Sequence, residues 1–344
     1  MKVLIVTNTE LFLWGGAEEL AENLALNLRV VGHDVEILRI PFFWKDPNEI
    51  INQMLLVTNI ELFNVDKVIA LKFPAYLINH PNKSIWLLHQ FRQAYDLHKS
   101  DDGFFSGLEN EKELLDAIQL ADSRDLGQVR TVYTISAKTS SRLLYFNGIQ
   151  STPLQPPVNN QELFVDKGND GYIFAGGRIN NMKRQYLLVE AAALSQNGPP
   201  LIIAGPTDSE EDAQKLRELV NRHNLQRRVT LDIGFHPRQK IADYINKSAA
   251  VAYIPIDEDY GYVAAEAAIA SKPVITCADS GGTLEIIKNE VTGWVCEPSA
   301  KALGKIFDLI GSNPKLSNQL GNSNRVNFEH LDISWSNIIK KLLE

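Results

Sequence analysis

The sequence predicts an α/β protein with two doubly wound domains, each built on a parallel β-sheet. Three observations lead to this fold class. Short continuous apolar segments alternate with amphipathic helical patterns, which is typical of parallel strands covered by helices on both faces. The chain has 344 residues, 44% of them hydrophobic, and is therefore too long for one ordinary core. The alternation stops once, in a polar segment with two prolines and two glycines at 155–171, and then resumes.

The first half contains predicted strands joined by helices. KVLIVT (2–7) has the pattern of a buried strand. The segment 17–28 is predicted to be a helix, with one apolar face formed by Ala17, Leu20, Ala21, Leu24 and Leu28. Further strands are predicted at 32–38, 66–71, 83–89 and 130–136. Residues 99–116 are acidic and contain glycine, so we expect a loop that leads into a helix. The first domain is placed at 1–158.

The second half repeats the same architecture, and we place this domain at 159–329. Its predicted strands are 172–177, 199–205, 228–234, 249–255 and 272–277, with helices at 184–195 and 208–223. The final segment WSNIIKKLLE (335–344) carries its apolar residues on one helical face and is predicted to dock on a domain. Ligands bind parallel sheets at the carboxyl ends of the strands, so the candidate motifs are those that directly follow a strand.

Composition excludes several classes of function. The formal net charge is −8, which argues against nucleic acid as a partner and against strong attachment to an anionic membrane. Two cysteines without zinc-like spacing predict reduced thiols. The first residues have the pattern of a strand rather than a signal peptide, and no apolar run approaches the ~20 residues of a membrane span. We therefore expect a cytoplasmic protein with at most peripheral contact at the inner face of the membrane.

Two glycine-containing loops are candidates for binding phosphate. Gly15 and Gly16 lie between the first strand and the first helix, where a helix N-terminus offers N–H groups to an anion. A simple turn and cap explains the same pair. In the second domain, FAGGRINNMKR (174–184) follows a strand and carries Arg178 and Lys183, with Arg184 beside them. A guanidinium fork and a lysine suit a diphosphate, although solvated surface cations remain the alternative.

The segment YIPIDEDYGYVAAEA (253–267) is the strongest candidate. The loop follows a predicted strand, and a helix is predicted to begin near Tyr262 or Val263. Gly261 permits close approach of the backbone. Glu258 can accept hydrogen bonds from sugar hydroxyls, and Glu266 can accept a pair from a ribose diol. Two surface glutamates near a helix N-terminus are the structural alternative.

Three further groups of residues follow predicted strands or lie beside the first loop. His89 ends a strand in the first domain, with Arg92 and Tyr95 after it. The aromatic segments LFLW (11–14), which includes Trp14, and PFFW (41–44) could contact an acceptor or belong to the core. The Gly281–Gly282 pair follows the strand at 272–277 and is equally compatible with a turn and with ligand contact.

These motifs, in this order, resemble the retaining family 4 glycosyltransferases of the GT-B fold. The resemblance extends from Gly15 to the closing helix. EDYGYVAAEA (258–267) is similar to the family pattern EGFGLxxxEA, with Asp259 in place of the usual glycine. The GT-B fold implies two Rossmann-like domains that face a central cleft, and a final helix, here 330–344, that crosses back to the first domain.

The resemblance also implies roles for individual residues. Arg178 and Lys183 would bind the donor diphosphate, and Glu266 the ribose. Glu258 would contact the donor sugar, helped by the backbone around Tyr260, Gly261, Tyr262 and Val263. Gly15 and Gly16 would lie by the phosphates, and His89 near the reacting face of the sugar. Trp14, Arg92 and Tyr95 are candidate acceptor-side residues.

The predicted function is transfer of a hexose from a nucleotide-diphosphate sugar to a glycan or lipid-linked acceptor in the synthesis of cell-surface polysaccharide. Retention of configuration is implied by the resemblance alone. Cations and helix N-termini can stabilise the leaving diphosphate, so we predict no metal and no cofactor. UDP-glucose or a similar UDP-hexose is the expected donor, with GDP-mannose as the alternative.

Other classes of protein stay open. A different reaction on the same fold, such as epimerisation or phosphorolysis, is one alternative, and a non-catalytic nucleotide-sugar-binding protein is another. A dehydrogenase is disfavoured, because no GxGxxG motif follows a strand.

Overall fold

The chain forms two compact units in the computed structural model, which describes residues 1–11, 14–44, 46–98, 104–105 and 107–344. Unit 1 comprises Met1–Asn159 and Ile333–Glu344, and unit 2 comprises Asn160–Asp332. Each unit has a parallel sheet with helices around it, so the predicted α/β fold class is confirmed. No helix in the described ranges is both long and apolar enough to cross a membrane.

Unit 1 is built on a six-stranded sheet of order β2-β1-β3-β4-β5-β6, in which every pair of neighbours is parallel. Its strands are β1 (Lys2–Thr9), β2 (Asp34–Pro41), β3 (Lys67–Ala70), β4 (Lys83–Leu87), β5 (Val132–Thr134) and β6 (Thr152–Pro153). Its first four helices are α1 (Gly16–Val30), α2 (Glu49–Thr58), α3 (Glu111–Gly127) and α4 (Ala137–Asn147). The strand order reverses between β1 and β3, which is therefore the switch point of this sheet.

Unit 2 has a second six-stranded parallel sheet, of order β12-β11-β10-β7-β8-β9. Its strands are β7 (Ile173–Gly176), β8 (Leu201–Gly205), β9 (Val229–Ile233), β10 (Ala250–Ala252), β11 (Val274–Cys277) and β12 (Gly293–Cys296). Its helices are α5 (Gln185–Leu194), α6 (Glu210–Arg222), α7 (Arg238–Lys247), α8 (Tyr262–Ile269), α9 (Thr283–Ile286), α10 (Ala300–Ser312) and α11 (Pro314–Glu329). This is the Rossmann strand order, with the switch point between β7 and β10.

The closing helix α12 (Trp335–Leu343) packs on unit 1, as its apolar face requires. Ile338, Ile339 and Leu342 are buried. The ring of Trp335 meets Trp86 of β4 edge-on, with 6.2 Å between centroids. This contact anchors the C-terminal helix to the centre of the first sheet.

The structure refines several predicted elements. The face predicted for α1 is largely buried, with Leu20, Ala21, Leu24 and Leu28 in the core. The short strand β6 and the strand β12 were not predicted. The segment 155–171 includes a 3-10 turn at Gln161–Leu163, and Phe164 is buried against unit 2, so part of the predicted linker is packed structure. Of the loop predicted at 99–116, residues 99–103 and 106 lie outside the described ranges.

Candidate functional site

The loop after β7 carries the first two predicted donor-site residues. Arg178 lies about half exposed, and its Nε is 3.4 Å from a carboxylate oxygen of Asp208, which follows β8. The segments after β7 and β8 pack closely. A Cβ added to Gly205 would lie only 2.1 Å from the carbonyl oxygen of Gly177, so only glycine fits there. Gly205, the last residue of β8, therefore permits this close packing, and Arg178 follows the packed segment.

Lys183 lies at the centre of a polar cluster at the switch point. Its Nζ donates to the hydroxyl of Tyr253, 3.0 Å away, and forms an ion pair with the carboxylate of Glu258. Tyr253 and Glu258 follow β10, the neighbour of β7 in the sheet. The structure thus brings Lys183 and Glu258 together, 75 residues apart in the sequence.

The electrostatics of this cluster keep Lys183 charged. Burial alone would lower the pKa of its ammonium, but Tyr253 and Glu258 together raise it above the usual value. Burial also raises the pKa of Tyr253, and the carboxylate of Glu258 raises it further. At neutral pH the cluster therefore presents an ammonium, a neutral phenol and their carboxylate partner.

Arg184 has a structural position rather than a place in this cluster. It is 5% exposed and adopts a left-handed backbone conformation with φ 54°. Its guanidinium donates to the carbonyl oxygens of Ile254 and Pro255 and makes two bonds of 2.7 and 2.8 Å to Asp279. Arg184 thereby ties the loops after β10 and β11 together and holds the segment that carries Glu258.

The Gly281–Gly282 pair is a close packing contact. A Cβ on Gly281 would lie 2.4 Å from the carbonyl oxygen of Glu258, and one on Gly282 would lie 2.4 Å from that of Asp259. The N–H of Gly282 also donates to the carbonyl of Glu258 at 2.7 Å. The pair therefore forms a turn that supports the Glu258 loop.

Helix α8 begins at Tyr262, as predicted, and carries Glu266 on its buried side. Gly261, the N-cap, has φ 98°, a conformation that favours glycine. Glu266 is 3% exposed, and one of its carboxylate oxygens accepts from Arg238 at 2.8 Å. Tyr260 is buried, whereas Tyr262 and Val263 are partly exposed. Burial of Glu266 beside a cation contradicts the simple surface alternative for this residue.

Unit 1 holds the other predicted residues. His89 is partly buried after β4, and its Nδ1 donates to the carbonyl oxygen of Gln90 at 2.6 Å, so Nε2 is the accepting nitrogen in the neutral ring. Arg92 makes two bonds to Asp96. Tyr95 is buried, and its hydroxyl donates to Asp122. Tyr95 therefore lies in the core of unit 1 and does not present its hydroxyl at a surface.

Gly15 and Gly16 lie at the switch point of the first sheet. The N–H of Gly15 donates to Glu18 at 3.0 Å, which forms half of a capping box, and α1 begins at Gly16. Lys72, which follows β3, lies 3.4 Å from the other oxygen of Glu18. Trp14 is 53% exposed.

The aromatic segments divide between surface and core. Phe42 is buried and Phe43 is exposed, while Phe12 and Leu13 lie outside the described ranges.

Sequence reasoning missed three residues of the site in unit 2. Tyr253 and Asp279 each lie at or just beyond a strand's carboxyl end, so the rule that selected Glu258 could have found them. Arg238 begins α7, and only the fold brings it to Glu266. Across the residues that the structure describes, no group of three or more His, Cys, Asp or Glu side chains could hold a metal ion.

Comparison with known proteins points to one family. The sequence model described as "Glycosyl transferases group 1" matches residues 160–326, which is most of unit 2. An uncharacterized glycosyltransferase of Methanocaldococcus jannaschii is 30% identical over 277 residues, which cover 74% of this chain and 69% of the relative.

Two further matches are more distant. The alpha-1,3/1,6-mannosyltransferase ALG2 of Mus musculus is 28% identical over 204 residues, 56% of this chain; the chain spans about half (48%) of that relative's length. The crystal structure of HepE from Anabaena in complex with UDP-glucose aligns with a TM-score of 0.70, covering 99% of this chain and 98% of HepE at 14% identity, a likeness of fold.

The match to the archaeal relative extends over two thirds of both chains, and the match to the family covers the unit that holds Lys183, Glu258 and Glu266. The resemblance found in the motifs and the expected GT-B fold are both confirmed. The chain belongs to the group 1 glycosyl transferases.

Proposed function

We propose that the protein transfers a hexose, with retention of configuration, from a nucleotide-diphosphate sugar to a glycan or lipid-linked acceptor. The observation that carries the proposal is the cluster of Lys183, Tyr253 and Glu258 at the switch point of unit 2. Switch points of open parallel sheets are where such folds bind nucleotides. Family membership supports the same chemistry.

The proposed donor site has a cationic part and an acidic part. Lys183 and Arg178 bind the diphosphate, and the N-terminus of α8 at Tyr262 and Val263 adds N–H dipoles. Glu266, oriented by Arg238, accepts the hydroxyls of the ribose. As the sugar departs, negative charge develops on the diphosphate, and these fixed positive groups stabilise it without a metal ion.

Glu258 changes partner when the donor binds. Without ligand its carboxylate pairs with Lys183, and we propose that it then turns to the hydroxyls of the donor sugar. Lys183 is thereby released to the diphosphate. His89, Gly15 and Gly16 of unit 1 contribute to the same reaction, with Nε2 of His89 as the accepting nitrogen. We keep Trp14 and Arg92 as candidates for the acceptor side.

Two donors are candidates, and a different comparison supports each. A UDP-hexose is our expectation from the sequence, and HepE, a protein of the same fold, was crystallised with UDP-glucose. The relative from Mus musculus is named a mannosyltransferase. Its name favours mannose as the transferred sugar, and GDP-mannose is then the candidate donor.

Turnover of the two donors tests the proposal. Purified protein is incubated in EDTA with UDP-glucose or GDP-mannose and with octyl α-mannoside or octyl α-glucoside as acceptor. Released nucleoside diphosphate is measured, and NMR reports the anomeric configuration of the product. We expect one donor to be used, with an α-linked product. The proposed activity is wrong if the wild type turns over neither donor faster than the Lys183→Met variant does, with or without Mg²⁺.

A further inference from the structure

A cavity of about 860 Å³ lies in unit 1 at the amino ends of β3, β4 and β5. Lys67 and Lys83, the first residues of β3 and β4, line it, and so does Thr131, just before β5. Ligands of parallel sheets usually bind at the opposite, carboxyl ends of the strands. The cavity is therefore separate from the proposed donor site and from His89, which follows β4.

Four basic side chains line this cavity, although the chain as a whole carries a formal net charge of −8. They are Lys67, Lys83, Arg130 and Lys341. Within the described ranges, no ion pair joins any of the four to a carboxylate, whereas ion pairs occur elsewhere on both units. The cavity thus concentrates positive charge that no ion pair within the described ranges neutralises.

The positive charge of Lys67 is unfavourable for folding, because the residue is buried. The residue is 2% exposed, and among the described residues its ammonium has one acceptor, the side-chain oxygen of Asn82 at 3.1 Å. An ammonium has three donors, and a buried charge without a counter-charge destabilises the fold. Lys83 donates to the carbonyl oxygens of Tyr76 and Ile78, which satisfy two of its three donors without supplying a charge. Burial lowers the pKa of both ammonium groups.

Two acidic residues, Asp125 and Glu344, also line the cavity, but they do not neutralise the positive charge of the four basic side chains. Asp125 makes two bonds to Arg124, of 2.6 and 3.1 Å, and the effect of its carboxylate on the pKa of Lys83 is opposed by the same arginine. Glu344 is exposed and, within the described ranges, forms no hydrogen bond or ion pair with the lysines, and its side-chain carboxylate offsets one of the four cations. The remaining excess matches a dianion better than a monoanion.

We propose that this cavity binds a phosphate group, with Lys67, Arg130 and Lys341 as its ligands. A phosphate supplies two negative charges and several acceptor oxygens, and arginine pairs with it bidentately. The volume falls within the roughly 300–1,000 Å³ typical of small-molecule sites, which is more than inorganic phosphate alone fills. The same chemistry would come from free phosphate or from the phosphate of a sugar ester.

Calorimetric titration of the full chain with inorganic phosphate and, separately, with glucose 6-phosphate tests the site and distinguishes its sources. We expect saturable binding that weakens at least tenfold in Lys67→Met and in Arg130→Gln. Arg130 is exposed, so its variant tests the site even if Lys67→Met fails to fold. Tighter binding of the ester identifies an organic phosphate as the ligand, and equal binding identifies the free ion.

Two controls separate this site from others. Lys112→Met removes an exposed lysine from α3 of the same unit, and Lys183→Met disables the proposed donor site. Both should bind phosphate as the wild type does. The proposal is overturned if neither probe binds, if binding survives in both Lys67→Met and Arg130→Gln, or if it is lost in either control. Because Lys183 belongs to unit 2, failure here leaves the proposed transferase function untouched.

Discussion

Replacing Glu258 by glutamine should change the affinity for a nucleoside diphosphate and for its sugar-bearing form in opposite directions. In the ligand-free protein the carboxylate of Glu258 holds Lys183, and the exposed fractions of the two side chains are 23% and 21%. A diphosphate must compete with this ion pair. A donor sugar, in contrast, would gain the carboxylate as an acceptor.

The magnitudes follow from the partial burial of the pair. Two charges in contact at about 4 Å interact by about 4 kcal/mol at an effective dielectric constant near 20, but desolvation and screening leave about 1 kcal/mol. Glu258→Gln removes that competition, so the nucleoside diphosphate should bind about fivefold more tightly. A hydrogen bond to a charged acceptor contributes about 2 kcal/mol, so the sugar donor should lose a net ~1 kcal/mol and bind about fivefold more weakly.

Calorimetry of the wild type and the variant with both ligands measures this difference. Glu210→Gln is the matched control, because it breaks an exposed ion pair with Arg217 in the same unit. The control should bind both ligands as the wild type does. If Glu258→Gln weakens the nucleoside diphosphate as much as the sugar donor, Glu258 does not exchange partners and the reasoning is refuted.

Three further predictions concern other residues. Glu266→Gln should weaken nucleotide binding about tenfold in calorimetry, whereas His89→Ala should lower kcat with little change in donor affinity; the reverse pattern would exchange their roles. Gly281→Ala should lower the free energy of unfolding by about 2 kcal/mol in urea titration, because its Cβ meets the carbonyl of Glu258 and its φ is 60°; unchanged stability would contradict the close packing. Burial raises the pKa of the Asp122 carboxyl from 3.8 to about 7, so ionisation costs stability as pH rises from 4 to 8, by about 4 kcal/mol at most. Relative to Asp122→Asn, the wild type should therefore lose stability across that range, and parallel pH profiles would show that Asp122 does not titrate there.

The sequence predicted the fold because the fold depends on local patterns, and the same patterns placed the candidate site residues after strands. Apolar strands alternate with helices, so the positions of Lys183, Glu258 and the start of α8 after strands could be derived from periodicity alone. The sequence did not predict the strand order; the structure places β7 beside β10, and the pairing of Lys183 with Glu258 follows from that order.

Contacts between distant segments could not be predicted in this way. Arg238 meets Glu266 because α7 packs beside α8, and no spacing in the sequence encodes that geometry. Arg184 has the same local signal as Lys183, but its left-handed backbone turns it into the protein. Tyr95 follows a strand like a functional residue, yet its hydroxyl is bound by the buried Asp122.

The position of Lys67 was equally unforeseen, because a lysine at the start of an apolar strand is expected at the surface. Only the structure shows that it is buried beside a cavity. A single sequence therefore identifies side chains at strand ends, whereas burial and partners decide their roles.

The most direct test of the proposed donor site is nucleotide binding without metal. UDP, GDP, ADP and dTDP are titrated calorimetrically into the wild type in EDTA, and then into Lys183→Met and Arg178→Gln. Lys315→Met, which removes an exposed lysine from α11 of the same unit, is the matched control. Loss of one partner of a partly buried charge pair costs about 2 kcal/mol, or about thirtyfold in affinity. We predict that one nucleotide binds, about thirtyfold more weakly in Lys183→Met and unchanged in Lys315→Met. Absence of binding by all four nucleotides, even after Mg²⁺ is added, or wild-type affinity in Lys183→Met, would contradict the donor site.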